Sequence, residues 1–258
     1  WDSVSEQAPS TKAKPANISQ ANAAKPITEV EVVTDGYQPT MVHEFDRVLG
    51  GGLVDGAAIL LSGEPGVGKS TLLLEVASRL AKSGKKVLYV SAEESASQVR
   101  LRAQRTSALS DNLYLASETD LGYVLGQFEQ LQPDLMVVDS VQTVSSQEID
   151  GAAGMPSQVR EVASNLIRLA KQNSTPIILV GHVTKDGSIA GPRTLEHLVD
   201  VVCHFEGDRQ TALRFVRTLK NRFGPTDEVG CFEMTGEGIV EVSDPSQLFV
   251  SGATTPVS

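Results

Sequence analysis

The chain reads as an α/β fold, with a mostly parallel sheet flanked by helices and an antiparallel β-meander at its C-terminal end. Three observations predict it. Apolar runs at 57–62, 87–91, 134–140 and 176–182 are short and continuous, as in strands buried on both faces. Segments with helical spacing of apolar residues fill the intervals between them, which implies crossover connections and parallel neighbours. Beyond residue 199 the helical spacing stops, and strand-like runs follow one another across short turns.

Taken in order, residues 1–28 are rich in Ala, Ser, Lys, Pro, Asn and Gln, the composition of a flexible linker. Alternation at Ile27, Val30 and Val32 suggests a strand over 28–33, closed by an Asp35-Gly36 turn. A short apolar segment then leads into Gly50-Gly51-Gly52, either a tight connection or a place where backbone approaches a nucleotide or a neighbouring subunit. After the run at 57–62, Leu72, Leu73, Val76, Ala77 and Leu80 mark a helix, which Ser83-Gly84-Lys85-Lys86 closes with a glycine and cations. The strand at 87–91 ends in Glu93-Glu94, and a helix starts near Ser95. A strand at 112–116 and a helix at 120–131, stopped by Pro133, come next. The strand at 134–140 ends in an acid and is followed by a long polar loop at 145–156, a length that points to function. Pro156 opens a helix to about 171. The strand at 176–182 gives way to a glycine-containing loop at 184–192. The closing strands are predicted at 199–205, 212–220, 228–235 and 238–242, with Gly236-Glu237-Gly238 as a hairpin turn.

With 258 residues, of which 40% are apolar, the chain can bury a sizeable core. It has no apolar run of about 18 residues, so no membrane span is expected, and no apolar segment of signal-peptide type near its start. Two cysteines, Cys203 and Cys231, exclude a disulfide framework or a four-ligand zinc site and fit a reducing, cytoplasmic setting. The net charge of −10 argues against nucleic-acid binding as a bulk property. Against it stands a local run without acids that holds Arg209, Arg214, Arg217, Lys220 and Arg222, either a positive surface or a solvated strand face.

The chemistry gathers at Gly63-Glu64-Pro65-Gly66-Val67-Gly68-Lys69-Ser70-Thr71, which fits G-x-x-x-x-G-K-[ST] between a buried strand and an amphipathic helix. Glycines let successive N–H groups converge on a phosphate, and the helix start adds its positive dipole end. Lys69 is placed to reach the β- and γ-phosphates of a nucleoside triphosphate, and the Ser70 hydroxyl to ligate Mg²⁺. Asp139, closing an apolar strand, is the candidate second metal ligand. Glu93 is the candidate for polarising the attacking water, with Glu94 as its alternative, because both follow a core strand at the edge where open α/β sheets bind ligands. His182 ends a third strand at that edge. It is either structural or a sensor of the γ-phosphate that passes its presence to the adjoining loop.

Together these residues resemble the RecA-like ATPases, and within them a bacterial repair and recombination branch. The resemblance is carried by Leu49-Gly50-Gly51-Gly52, the Gly63 to Thr71 loop, Val90-Ser91-Ala92-Glu93-Glu94-Ser95, Val138-Asp139-Ser140-Val141-Gln142-Thr143 and, most specifically, Lys220-Asn221-Arg222-Phe223-Gly224. It implies a RecA-like P-loop NTPase core that hydrolyses ATP with Mg²⁺. It implies that Glu93 activates water, that His182 senses the γ-phosphate, and that Lys220 and Arg222 reach the nucleotide of a neighbouring subunit. It further implies assembly into a ring, a hexamer by family habit, and partners in single-stranded DNA and a recombinase filament. The loops at 145–156 and 184–192 would then face DNA, with Lys185 and Arg193 as candidate phosphate contacts. By the same resemblance, 1–28 is a linker after a zinc module, 29–245 the ATPase domain, and 246–258 the start of a linker to a Lon-protease-like domain.

The function expected from this reading is an ATP-driven motor of recombination, as in branch migration. A RecA-like regulatory ATPase of the circadian-clock type, acting through protein contacts, is the alternative. A small-molecule kinase fits less well, because no acceptor-binding lid is evident beside the trailing strands.

Overall fold

A computed structural model describes residues 24–29, 36–183, 192–207 and 211–243. The chain divides into a unit of residues 1–34 and a unit of residues 35–258. In the first, Ile27–Glu29 form a 3-10 turn, in which the Glu29 N–H donates to the Pro26 carbonyl at 2.9 Å. The strand expected from residue 28 therefore does not begin there: Pro26 presets a turn conformation that alternation in the sequence does not reveal. Residues 30–35 lie outside the described residues, as do most of the linker expected at 1–28 and the segment expected at 246–258.

The second unit runs α1 (His43–Leu49), β1 (Ala58–Gly63), α2 (Lys69–Lys82), β2 (Val87–Ser91), α3 (Ala96–Arg105), β3 (Leu113–Ser117), α4 (Leu121–Leu131), β4 (Leu135–Asp139), α5 (Pro156–Gln172), β5 (Ile177–His182), β6 (Val201–Gly207), β7 (Leu213–Asn221), β8 (Val229–Thr235) and β9 (Gly238–Glu241). Its nine-stranded sheet has the order β3-β2-β4-β5-β1-β6-β7-β8-β9. Neighbours from β3 to β6 are parallel, and those from β6 to β9 antiparallel. The four strands of the meander are β6 to β9, and β6 joins them to the parallel part of the sheet by lying parallel to β1.

Alternation along each strand explains the layering. Ile59, Leu61, Val87, Tyr89, Leu135, Val137, Ile178 and Val180 point to one face, where they pack with side chains of α1, α2 and α3. Their neighbours Leu60, Leu88, Val90, Met136, Val138, Ile177 and Leu179 point to the other, against α4 and α5. Burial on both faces is why these runs read as continuously apolar.

The helices carry the ends their sequences dictate. Ser95 and Gln98 form a reciprocal capping box on α3, and the Asp120 side chain accepts the Gly122 and Tyr123 N–H groups of α4. The unexpected element is α1. Its Phe45, Val48 and Leu49 are buried at helical spacing, but seven residues give too short a period to stand out. The glycines after it let the chain pack closely on itself: a Cβ on Gly51 would lie 2.9 Å from the Tyr37 ring. The same corner receives the Lys220 to Gly224 motif. Asn221 Nδ2 donates to the Leu49 carbonyl at 3.0 Å, and the Tyr37 hydroxyl to the Phe223 carbonyl.

No helix among the described residues is long and apolar enough to cross a membrane.

Candidate nucleotide site

The loop between β1 and α2 stands at the carboxyl edge of the parallel strands. Gly63 is required there by packing: a Cβ would lie 2.2 Å from the Phe205 carbonyl oxygen on β6. Glu64, Pro65 and Gly66 are exposed and Val67 is buried. Gly68 caps α2, and Lys69, Ser70 and Thr71 form its first turn, so their N–H groups belong to a helix start with its positive dipole. Lys69 is 3% exposed. Its ammonium donates to the Gly63 carbonyl at 2.9 Å and the Glu64 carbonyl at 2.8 Å, which folds the side chain back over the loop. Burial lowers its pKa to about 8, against the opposing pull of Asp139 and Glu93.

Asp139 ends β4 beside Ser91 of β2 and shares the α2 face with Leu135 and Val137. Its Oδ2 accepts the Tyr89 hydroxyl at 2.7 Å, and Oδ1 carries no hydrogen bond among the described residues. Burial first, and the Asp139 charge second, hold the Tyr89 hydroxyl far above its ordinary pKa, so it stays a donor. A buried carboxylate with one open oxygen and a serine hydroxyl at a helix start are hard oxygen donors, a set that suits Mg²⁺.

The two glutamates part company. Glu94 pairs with Arg102 of α3, while Glu93 Oε1 lies 3.1 Å from His182 Nε2 at the end of β5. That contact, assisted by Ser140 and Lys69, lowers the Glu93 pKa against the effect of burial. Neither ring nitrogen of His182 has a well-aligned hydrogen bond among the described residues. The backbone of His182 is held more firmly: its N–H donates to Gln142 Oε1 at 2.8 Å, and its carbonyl accepts from Gln142 Nε2 at 3.0 Å. The carboxamide of Gln142 thus stands in for a strand residue where β4 has ended.

Two clefts flank the loop. One, of about 440 Å³, is lined by Pro65, Glu93, Gln142, Thr143, Gly154 and His182. The other, of about 470 Å³, lies toward β6 and β7, with Pro65, Gly66, His204, Phe205, Glu206 and Arg214 in its wall. Arg214 Nε donates to the Val67 carbonyl at 3.0 Å and so ties β7 to the loop.

Lys220 and Arg222 are not brought to this edge. Strand β7 runs antiparallel to β6, so Asn221 pairs with Val201, beside the amino end of β1. Asp200 marks that end. Its Oδ2 accepts the Ala58 N–H at 3.0 Å, and its Oδ1 lies 3.0 Å from Arg222 and 3.4 Å from Lys171. Lys220 donates to the Glu196 and Val199 carbonyls at 2.8 and 2.7 Å. At about 3.3 Å per residue, the length of β1 puts roughly 17 Å between these cations and the loop.

The acid-free run does not form an open positive surface among the described residues. Arg217 pairs with Glu206 at 2.6 Å, and Arg214, Lys220 and Arg222 are bonded as above. Arg209 and Lys185 lie outside the described residues, with nearly all of the 184–192 loop. Arg193 is exposed on a 3-10 turn, Pro192–Thr194. Three residues that shape the site escaped the sequence reading. Tyr89 reads as one more residue of a buried strand, Gln142 as a motif residue with no role of its own, and Asp200 as a residue of the strand expected at 199–205. The available signal was a polar atom at each of these otherwise apolar places.

A loop that cradles phosphate, a buried lysine at a helix start and acids at the ends of neighbouring parallel strands define a P-loop ATPase domain. A family model described as an AAA domain matches residues 24–188, and the chain belongs to that family. It is similar over most of its length to proteins named DNA repair protein RadA. The relative from Mycolicibacterium smegmatis is 57% identical over 238 residues, 91% of this chain and 51% of that protein. The one from Streptococcus pneumoniae is 50% identical over 224 residues, 87% of this chain and 53% of that protein. The one from Listeria monocytogenes is 47% identical over 253 residues, 97% of this chain and 55% of that protein. The chain thus spans about half the length of the curated relatives it matches.

Proposed function

We propose that the chain is the ATP-hydrolysing motor part of a DNA repair and recombination protein, working on single-stranded DNA in branch migration as a ring of subunits. One observation carries the reading. Groups suited to bind and polarise a triphosphate converge at one edge of the sheet, while Lys220 and Arg222 stand at the other, out of reach of their own loop. A ring that sets the amino edge of one subunit against the carboxyl edge of the next completes a site that each chain alone leaves in halves. The names of its relatives point to DNA repair as the setting.

In this reading the loop N–H groups and Lys69 bind the phosphates. Ser70 and Asp139 hold Mg²⁺, which when bound neutralises phosphate charge. Glu93, kept ionised by His182, takes up a proton from the attacking water. His182 is held through its backbone by Gln142, so a change at the γ-phosphate is passed to the segment after β5. Arg222, with Lys220 beside it, arrives from the neighbour to stabilise charge developing on the transferred phosphoryl group. Hydrolysis then waits on assembly. Lys185 and Arg193 remain the candidates for meeting the DNA backbone.

The test is the ATPase rate with and without single-stranded DNA, read beside particle mass with a non-hydrolysable ATP analogue. Stimulation by DNA together with a ring-sized particle is expected. Hydrolysis indifferent to DNA in the assembled protein would favour a regulatory ATPase instead.

A further inference from the structure

Tyr89 is the largest fully buried side chain among the described residues, 1% exposed in the middle of β2. A phenylalanine would fill the same apolar space without an oxygen to satisfy, and a buried phenol needs a partner. Its partner is Asp139 Oδ2 at 2.7 Å. The register shows how the bond spans strands: Tyr89 lies opposite Val137, two positions before Asp139, and its ring reaches along the α2 face to the end of β4. The bond fixes the turn of the carboxylate about its own axis, because it engages Oδ2 while Oδ1 stays unengaged among the described residues.

We propose that Tyr89 is a positioning residue that aims the Asp139 carboxylate at the divalent cation of the bound nucleotide. This rests on Asp139 being a ligand of that cation. Tyr89 touches neither cation nor nucleotide; it acts through the carboxylate. Removing a group that orients a ligating side chain lowers metal affinity by about 10–100-fold.

The experiment measures the affinity of a fluorescent, non-hydrolysable ATP analogue as Mg²⁺ is titrated, and again in excess EDTA, for the parent chain and Tyr89→Phe. Affinity in EDTA should change by less than about twofold, while the Mg²⁺ concentration giving half the increase in affinity rises by about tenfold. Asp139→Asn, made with and without Tyr89→Phe, supplies the control: once the carboxylate is gone, the second substitution should add nothing. A parent chain with no Mg²⁺-dependent increase would overturn the assignment of Asp139 itself. A normal increase that survives Tyr89→Phe would overturn the positioning role alone. Equal losses in EDTA and Mg²⁺ would mark a purely structural residue and overturn it as well.

Discussion

The two ends of β1 hold their cations in opposite ways. At the carboxyl end Lys69 is almost fully buried, on backbone carbonyls of its own loop. At the amino end the Arg222 side chain is 52% exposed, on an aspartate that is 5% exposed. Solvent screens the Arg222 end of that pair, and fixing its long side chain costs entropy, while the Asp200 end is buried. Lys69 would exchange those carbonyls for phosphate oxygens at its own loop, whereas Arg222 would leave the Asp200 carboxylate to Lys171 in order to meet another anion. In the proposed reading the carboxyl edge receives phosphate and the amino edge lends a cation to a neighbour.

The sharpest way to break that contrast is to remove the lent cation. Arg222→Ala should lower hydrolysis by roughly 10³-fold, the low end for a cation supplied in trans, and leave the affinity for an ATP analogue unchanged. Mixing gives the decisive form. Arg222→Ala and Lys69→Ala chains, each inactive, should recover hydrolysis together, because a mixed assembly pairs an intact loop with an intact arginine. No recovery, with normal assembly, would place both groups in one chain's site.

The carboxyl edge is tested next. Glu93→Gln should reduce hydrolysis by about 10²-fold or more and retain nucleotide binding. Glu94→Gln loses only its pairing with Arg102 and should cost stability of about 1 kcal/mol or less. Comparable hydrolysis defects in the two would undo their separation. His182→Ala removes the main cause of Glu93's lowered pKa, so the acid limb of the pH–rate profile should move to higher pH.

At the amino edge, Asp200→Asn keeps the shape but sets an amide N–H against the Ala58 N–H or the Arg222 guanidinium. A stability loss of roughly 1–3 kcal/mol in denaturant unfolding is expected. A loss near zero would show that Asp200 does not organise this edge.

How much of this was legible depended on whether a signal was local. The loop at Gly63 to Thr71 could be read because its residue types follow from its own backbone, and the parallel strands because burial on both faces leaves apolar runs. The helix starts near Ser95 and Asp120 were legible for the same reason, since they depend on residues only a few positions apart. Contacts across the sheet were not. Nothing near Asp200 announces that Arg222 lies against it, and nothing in Val-Leu-Tyr-Val-Ser shows that one oxygen serves Asp139. The orientation of β6 depends on which strand it joins, so its run reads the same whether parallel or antiparallel. Glu93 and Glu94, adjacent in sequence, part only in three dimensions, where α3 takes one and the end of β5 the other.

A pH dependence measures how closed the carboxyl edge is. Lys69 has a pKa of about 8 in the folded chain against an ordinary 10.5. Phosphate binds its ammonium form, and the free chain loses that proton above pH 8. Nucleotide affinity should then fall by up to about tenfold per pH unit beyond 8. Stability of the chain without nucleotide should move the other way. Its folded pKa is lower than its unfolded one, so unfolding takes up a proton between about 8 and 10.5, and stability rises with pH through that window. Analogue titrations and thermal unfolding over the same pH range give both trends, and Lys69→Met should flatten each. Affinity and stability falling together would instead report general alkaline unfolding, and the lysine would be more open to water than its 3% exposure implies.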